Sequence, residues 1–426
     1  MQRVNELETY VFGLGHVGLP MACWIALSGS HVYGIDVNRK IISSIQSGNI
    51  NIEEYYHDIH IGSLAQALIE SNRLNIGTDL VRENDEPSTF LISVGMTDLP
   101  DGKKGLSPIL AAVDCLSSVL VPNDLIILRS TIIPGTCEKV IAPRLRERNV
   151  PFYLAYCPET IMETKAFDEF EKNPIILAGI DEDSYQAAKR YWQTITKNKI
   201  YKASNIRTAE MAKVVQNIHR DVNIALANEI SDAASALNVD GDDLRTLTNV
   251  NPRVSMLVSG PGVGGYCLPN ALAYLKGAVP EIPLTLVETA RELNRNRPAR
   301  IAKMTTNALE SAGKQVKGAV IAVYGLAMKN YCADTRFSPA LEIIKELQAQ
   351  GVTVKAYDPL VPKSYPFQVD SFEECLKGAD CFVIAAKQKA LSYNTSEIMA
   401  LLSSPAVIID TQHAVKPLDG VTIYKV

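Results

Sequence analysis

Two glycine-rich segments sit beside residues that could do chemistry. The first, Gly13-Leu14-Gly15-His16-Val17-Gly18, follows an apolar strand-like run from Thr9 and leads into the helical run Leu19 to Leu27. Between a strand and a helix, Gly13 permits a tight turn, Gly15 lets the backbone approach a pyrophosphate, and Gly18 lets helix and strand pack closely. Asp36 ends the next strand, His31 to Asp36, and arrives 18 residues after Gly18. A carboxylate at that place accepts hydrogen bonds from a ribose 2′-hydroxyl. Arg39 could accept a 2′-phosphate, which Asp36 would repel, so the pair favours NAD over NADP. An ordinary βα turn with a solvated Asp36 is the alternative, and the strand–turn–helix context argues against it.

The second segment, Ser259-Gly260-Pro261-Gly262-Val263-Gly264-Gly265-Tyr266-Cys267, packs four glycines into nine residues. That density carries an entropic cost unless the backbone must turn unusually around a bound group. Alone, Gly-Gly-x-Cys reads as a tight loop. Beside a dinucleotide site, a thiolate is suited to holding an aldehyde for a second hydride transfer. The other cysteines, at 23, 115, 137, 157, 332, 375 and 381, form no C-x-x-C pair and have no His at zinc spacing. They read as small buried hydrophobes in a reducing compartment, and no metal site is expected.

The elements that must hold these groups have an α/β rhythm. Apolar runs at Thr89 to Val94, Leu125 to Leu128 and Phe152 to Ala155 alternate with helical stretches such as Ile109 to Leu120, which predicts a doubly wound parallel sheet. From Thr208 to about Leu237 the chain has no Gly or Pro and repeats apolar residues at helical spacing, a long central helix of the kind that supplies dimer surfaces. A second α/β pattern is expected after the charged segment Arg291 to Arg300, with strands at Ala319 to Tyr324, Thr353 to Tyr357 and Cys381 to Ala385 and a helix at Ala340 to Gln350. The expected division is an N-terminal dinucleotide-binding domain over 1–200, a central helical region over 201–300, and a second Rossmann-like domain over 301–426. A length of 426 residues suits two or three domains. A net charge of -5 argues against nucleic acid as a partner. The opening Met1 to Glu8 lacks a signal-peptide run and no apolar stretch is long enough to span a membrane, so a cytosolic chain is expected.

Three separated motifs resemble the UDP-glucose/GDP-mannose dehydrogenase family over nearly the whole chain: Gly13 to Pro20, Gly260 to Cys267, and Gly325 to Lys329 continuing through Asp334 to Pro339. The resemblance implies that Cys267 attacks a C6 aldehyde to give a thiohemiacetal, oxidised to a thioester and then hydrolysed, with two NAD reduced per UDP-sugar. It places Thr131, in Ser130-Thr131-Ile132-Ile133-Pro134-Gly135-Thr136, near the catalytic water and nicotinamide, and Glu159, after Pro158, near the reacting carbon. It implies that Lys213 stabilises an oxyanion, that Asn217 orders water or the hydroxyl, and that Arg253 reaches substrate across a homodimer. Glu163, Arg220, Gly264 and Lys329 fall among its substrate contacts. His16, Val17 and Arg336 fall at its cofactor side. Capped loops, solvated acids and a surface lysine are the alternatives. His16 and His219 read as packed or solvated rather than basic.

The chain departs from the family pattern at several places. Ala271 stands where an aspartate normally follows the cysteine by four residues, which removes a probable base and shifts the load to Glu159 and Lys213. Gly95-Met96-Thr97 replaces Pro-Thr-Pro, Tyr55-Tyr56-His57-Asp58 replaces Glu-Pro-Gly-Leu, and Asp410-Thr411-Gln412 stands where an Asp followed by Arg and Asn is usual. Arg207 to Lys213 and Arg220 to Glu229 are more similar to the UDP-N-acetylhexosamine branch, UDP-N-acetylmannosamine dehydrogenases especially, with UDP-glucose as the rival substrate. Two readings of another kind remain: a non-catalytic nucleotide-sugar or NAD-binding subunit, suggested by Ala271, and a simple hydroxy-acid dehydrogenase that would not need Cys267.

Overall fold

Thr9–Phe12 is a strand with every residue buried, as a continuous apolar run flanked on both faces requires. It lies inside an eight-stranded sheet ordered Ile200–Lys202, Ile175–Gly179, Phe152–Tyr156, Asp124–Leu128, Thr89–Ile92, Thr9–Phe12, Val32–Ile35, Leu74–Gly77. The six strands from Phe152–Tyr156 to Leu74–Gly77 run parallel, in the doubly wound order whose switch point lies beside Thr9–Phe12. Ile175–Gly179 turns back antiparallel at one side. The computed structural model describes residues 8–388, 394–419 and 421–426; the opening Met1–Leu7, on which the signal-peptide reading partly rests, lies outside the described residues. No described helix is long and apolar enough to cross a membrane.

The chain divides into two units, Met1–Gln216 with Ala273–Ile282, and Asn217–Leu272 with Pro283–Val426. In the second, strands Thr353–Tyr357, Val320–Tyr324, Cys381–Ile384, Val407–Asp410 and Thr422–Lys425 make an all-parallel sheet in that order. Helix starts are set by local capping. The Asn38 side chain accepts from Lys40 N, the Asp181 side chain from Ser184 N, and the Ser338 side chain from Ala340 N one residue before Pro339.

The long helix runs over Ile206–Ala236, close to its expected bounds. The charged segment Arg291 to Arg300 lies within one helix, Thr285–Ser311, and several of its charges face partners. Arg291 pairs with Asp221 at 2.8 Å, and Arg297, 2% exposed, donates to both oxygens of Asp232 at 2.7 Å. Asn294 Nδ2 donates to the Asp221 carbonyl at 2.7 Å. Charge here marks a packed helix–helix seam rather than solvent.

Three buried carboxylates tie down loops of the first unit. Asp124 accepts from Ser88 N and Val121 N, both at 2.8 Å, and pairs with Arg82. Glu210, fully buried on the long helix, accepts from Gly135 N and, at 2.8 Å, from Cys137 N. Glu54, 2% exposed, accepts from Thr164 N at 2.5 Å and Ala166 N at 3.0 Å. Between those donors Thr164 has φ +77°, a conformation that a β-branched residue resists.

Thr164→Gly removes that strain at the expense of chain entropy. It is expected to raise stability by about 1 kcal/mol in urea unfolding. Burial raises the Glu210 carboxyl above the ordinary range. The native state then keeps a proton that the unfolded chain releases, so this group's contribution to stability falls as pH rises from the ordinary carboxylate value through the raised one. Glu210→Gln should flatten that part of the profile, and urea midpoints at pH 4.5, 6 and 7.5 measure it.

Candidate active site

The glycine turn has the geometry of a dinucleotide cradle. A Cβ on Gly18 would lie 1.7 Å from the Gly13 carbonyl oxygen, so helix Gly18–Leu27 could not seat against the turn with any larger residue. A Cβ on Gly15 would meet nothing within 4 Å, which leaves open space beside the helix N-terminus, where a pyrophosphate is favoured. Asp36 accepts from Leu14 N and Asn38 N, each at 2.9 Å, and is half-buried. Each of its oxygens keeps a lone pair for a ribose hydroxyl. Arg39 is exposed on the first turn of the next helix, Arg39–Gln46.

The second unit repeats the device and closes it. Gly325 leaves strand Val320–Tyr324 with its N–H donating to Tyr357 O at 3.0 Å, as Gly13 N donates to Ile35 O at 2.8 Å. Asp358 then accepts from Leu326 N at 2.7 Å, as Asp36 does from Leu14 N. Asp358, however, is 5% exposed and also receives Leu360 N at 2.9 Å and Gln388 Nε2 at 3.1 Å. Its lone pairs are filled, whereas Asp36 keeps acceptor capacity on both oxygens.

Further along the first sheet, Ser130 Oγ donates to Val94 O at 2.6 Å and Tyr156 OH donates to Ser130 O at 3.1 Å, which fixes the turn that bears half-buried Thr131. Glu159 is 9% exposed. Its Oε1 accepts from Thr160 N at 2.7 Å and Ile161 N at 2.9 Å, and its Oε2 is ion-paired with Arg129. Glu163 Oε1 lies 3.9 Å from His16 Nδ1. The His16 side chain is 41% exposed and faces an acid on the loop after Pro158. Lys213 is half-buried one turn beyond Glu210 on the long helix.

In the second unit, Cys267 is exposed and begins helix Cys267–Ala278, where free N–H groups favour negative charge. Of the preceding glycines, Gly262 and Gly265 have positive φ and Gly264 is in close backbone contact, whereas a Cβ on Gly260 would meet only Thr411 O, at 3.9 Å. A Cβ on Gly264 would lie 2.8 Å from both Phe337 O and Pro339 Cδ, in the segment of the third motif. Gly265 N donates to Arg336 O at 3.0 Å. Gly260 is held at both ends of its peptide unit, N–H to Asn228 Oδ1 at 2.9 Å and carbonyl from Arg297 Nε at 3.2 Å. Ser259 Oγ donates to Val426 O at 2.6 Å and contacts His413 Nε2 at 3.3 Å. Ala271, one turn after Cys267, is 2% exposed.

Asn217 is 5% exposed, while Arg220, Arg253 and His219 are exposed. Lys329 is half-buried. The Arg336 guanidinium is turned onto its own loop, with Nε donating to Asp334 at 2.7 Å. Gln412, at one departure from the family pattern, accepts from Asn330 Nδ2 at 2.9 Å and donates to Ala385 O at 2.8 Å, so it braces the switch point of the second sheet. Of the remaining cysteines, all but Cys115 are buried, and burial pushes the thiols of Cys23 and Cys375 up to about 12.

Sequence reasoning missed Arg129, Glu54, Glu210, Asn228 and Arg297. Two carried a signal. Arg129 directly precedes Ser130-Thr131 at the end of an apolar strand, and Glu210 lies three residues before Lys213 on one helix face.

The geometry accords with comparison to known proteins. Three domain models of the UDP-glucose/GDP-mannose dehydrogenase family match: the NAD binding domain over residues 8–202, the central domain over 207–296 and the UDP binding domain over 322–417. The chain is 34% identical to the UDP-N-acetyl-D-mannosamine dehydrogenase of Pyrococcus horikoshii over 411 residues, covering 95% of each. A solved structure of the UDP-D-ManNAc dehydrogenase from that organism superposes with a TM-score of 0.89 at 32% identity, over 98% of this chain and 99% of the other. The NDP-N-acetyl-D-galactosaminuronic acid dehydrogenase of Ralstonia solanacearum is 31% identical, over 97% of this chain and 98% of its own. With a glycine turn shaped for the cofactor and family matches along most of its length, the chain belongs to the UDP-glucose/GDP-mannose dehydrogenase family and is an NAD-dependent nucleotide-sugar dehydrogenase.

Proposed function

We propose that the enzyme oxidises the C6 hydroxyl of a UDP-N-acetylhexosamine, UDP-N-acetylmannosamine first among them, to the uronic acid through Cys267. The observation that carries this reading is the presentation of Cys267: an exposed residue at a helix N-terminus, on a loop where Gly264 leaves no room for a larger residue. The names of the N-acetylated relatives support the substrate class. Bound NAD would be cradled by Gly13, Gly15, His16, Val17, Gly18 and Asp36 and would accept hydride from the sugar carbon.

The chain's own groups take the remaining steps. The C6 hydroxyl passes its proton to solvent water as the first hydride leaves for the nicotinamide, and the aldehyde carbon then bonds to the Cys267 sulfur as the thiol proton is released to water. Lys213 stabilises the resulting oxyanion and Asn217 orders the hydroxyl or water. A second hydride leaves the thiohemiacetal to give the thioester. Water, placed by Thr131 and deprotonated by Glu159, then forms the C–O bond as the C–S bond breaks. Glu163, Arg220, Gly264 and Lys329 contact the substrate in this reading. Arg336 sits on the cofactor side, and Arg253 serves a neighbouring active site in a cytoplasmic homodimer. Domains over 1–200, 201–300 and 301–426 are the proposed functional parts.

Ala271 favours one second reading, a nucleotide-sugar or NAD-binding subunit without turnover. UDP-glucose is the rival substrate. The deciding measurement is NADH formed per sugar across a panel including UDP-N-acetylmannosamine and UDP-glucose, with the product identified by mass. Two NADH and a carboxylate are expected from the N-acetylated sugar. Tight binding with no NADH would establish the second reading. Cys267→Ser is expected to lower turnover to acid by roughly three orders of magnitude or more. One NADH per substrate, unchanged in that variant, would instead mean a one-step hydroxy-acid dehydrogenase.

A further inference from the structure

Arg129 is 5% exposed, and a guanidinium keeps its proton in a protein, so a full charge is buried at the end of strand Asp124–Leu128. Such a charge requires compensation. It comes from three directions. Arg129 pairs with Glu159, Nη1 donates to Cys157 Sγ at 3.2 Å, and the guanidinium carbon lies 4.9 Å from the centre of the Trp192 ring. Burial pushes the Cys157 thiol up to about 11, so the sulfur meets Arg129 uncharged, and the carboxyl group paired with Arg129 is that of Glu159.

Glu159 is correspondingly immobile. One oxygen is held by Arg129 and the other by the N–H groups of Thr160 and Ile161. Behind the pair lies a cavity of about 40 Å³, lined by Arg129, Trp192, Cys157 and Glu159 among others. Arg129 Nε and Trp192 Nε1 are both buried and have no acceptor among the described residues. A cavity of that size, with buried donors among its lining residues, has room for water.

We propose that Arg129 is a positioning residue, holding Glu159 as a fixed, charged carboxylate for the hydrolytic half of the reaction. This rests on the reading of Glu159 as the base for thioester hydrolysis. In that step the oxygen of water bonds to the C6 carbonyl carbon, the Cys267 sulfur leaves with the C–S electron pair, and the proton passes to Glu159. With alanine at position 271, Glu159 has no second carboxylate there to share the task. A base needs a defined direction as well as a charge. The fork of Arg129 supplies both, where a lysine would supply only the charge.

The test is rapid-mixing measurement of NADH with UDP-N-acetylmannosamine and saturating NAD, for Arg129→Gln, Arg129→Lys, Glu159→Gln and the double variants. Arg129→Gln is expected to retain a burst of two NADH per active site and then stall, with a steady-state rate lowered on the order of 100-fold. Hydroxylamine, which cleaves thioesters without a protein base, should restore its turnover. Arg129→Lys should recover part of the rate, and Arg129→Gln should add little to Glu159→Gln. A purely structural role would lower burst and steady state together, leave hydroxylamine without effect, and overturn the proposal. If Glu159→Gln stalls while Arg129→Gln turns over normally, Arg129 alone is misassigned. If Glu159→Gln hydrolyses normally, the reading of Glu159 as base fails first. Should Arg129→Gln not fold, additivity of Arg129→Lys with Glu159→Gln in the hydrolysis rate would overturn the proposal, and non-additivity would support it.

Discussion

Loops that leave the carboxyl ends of the first sheet carry backbone N–H groups that no strand can satisfy, and buried carboxylates meet them. Glu54 holds Thr164 and Ala166, Glu210 holds Gly135 and Cys137, and Glu159 holds Thr160 and Ile161. An unpaired buried N–H is costly, and an ionised acceptor makes the stronger bond, so each carboxylate fixes two amides at once. The same interaction explains why the Pro-Glu segment tolerates Thr164 at positive φ. Rigidity in the loops proposed to bear chemistry is thus supplied by acids that are themselves removed from solvent.

The two sheets show one device put to two ends. Each has a first strand, a glycine leaving it at the switch point, and an aspartate from the next strand returning to the turn. In the first unit the aspartate retains acceptor capacity and Gly15 faces open space. In the second, Gln388 and Leu360 saturate Asp358, and no helix begins directly after the turn: the next, Pro339–Ala349, starts under the Ser338 cap. Similar topology therefore does not imply a second dinucleotide site. The family match to a UDP binding domain over residues 322–417 fits that difference.

The cysteine loop illustrates a separate constraint. Gly264 and Gly265 approach Met328, Phe337 and Pro339 closely, and the loop's polar anchors, Asn228, Arg297 and the Val426 carbonyl, lie far away in sequence. Presenting an exposed cysteine from a loop of this length needs such anchoring, because the glycines that permit the path also leave it free to move in the absence of bonds.

The sequence alone determined much of the molecule, because period and punctuation are local. Strands at 9–12, 89–92, 124–128 and 353–357 and the helices at 206–236 and 339–349 follow from continuous apolar runs, 3.6-residue spacing and Gly or Pro at their ends. The glycine turn after the first strand and the glycine-rich loop before Cys267 were legible as turns for the same reason: their signal lies in spacing. What only tertiary structure decided is where buried charge finds its partner. Nothing local in Arg291 to Arg300 points to Asp221 and Asp232, and nothing local at Arg129 points to Glu159, Cys157 and Trp192. Such pairings join residues tens of positions apart, and the energy of a buried ion is set by that environment rather than by its neighbours in the chain.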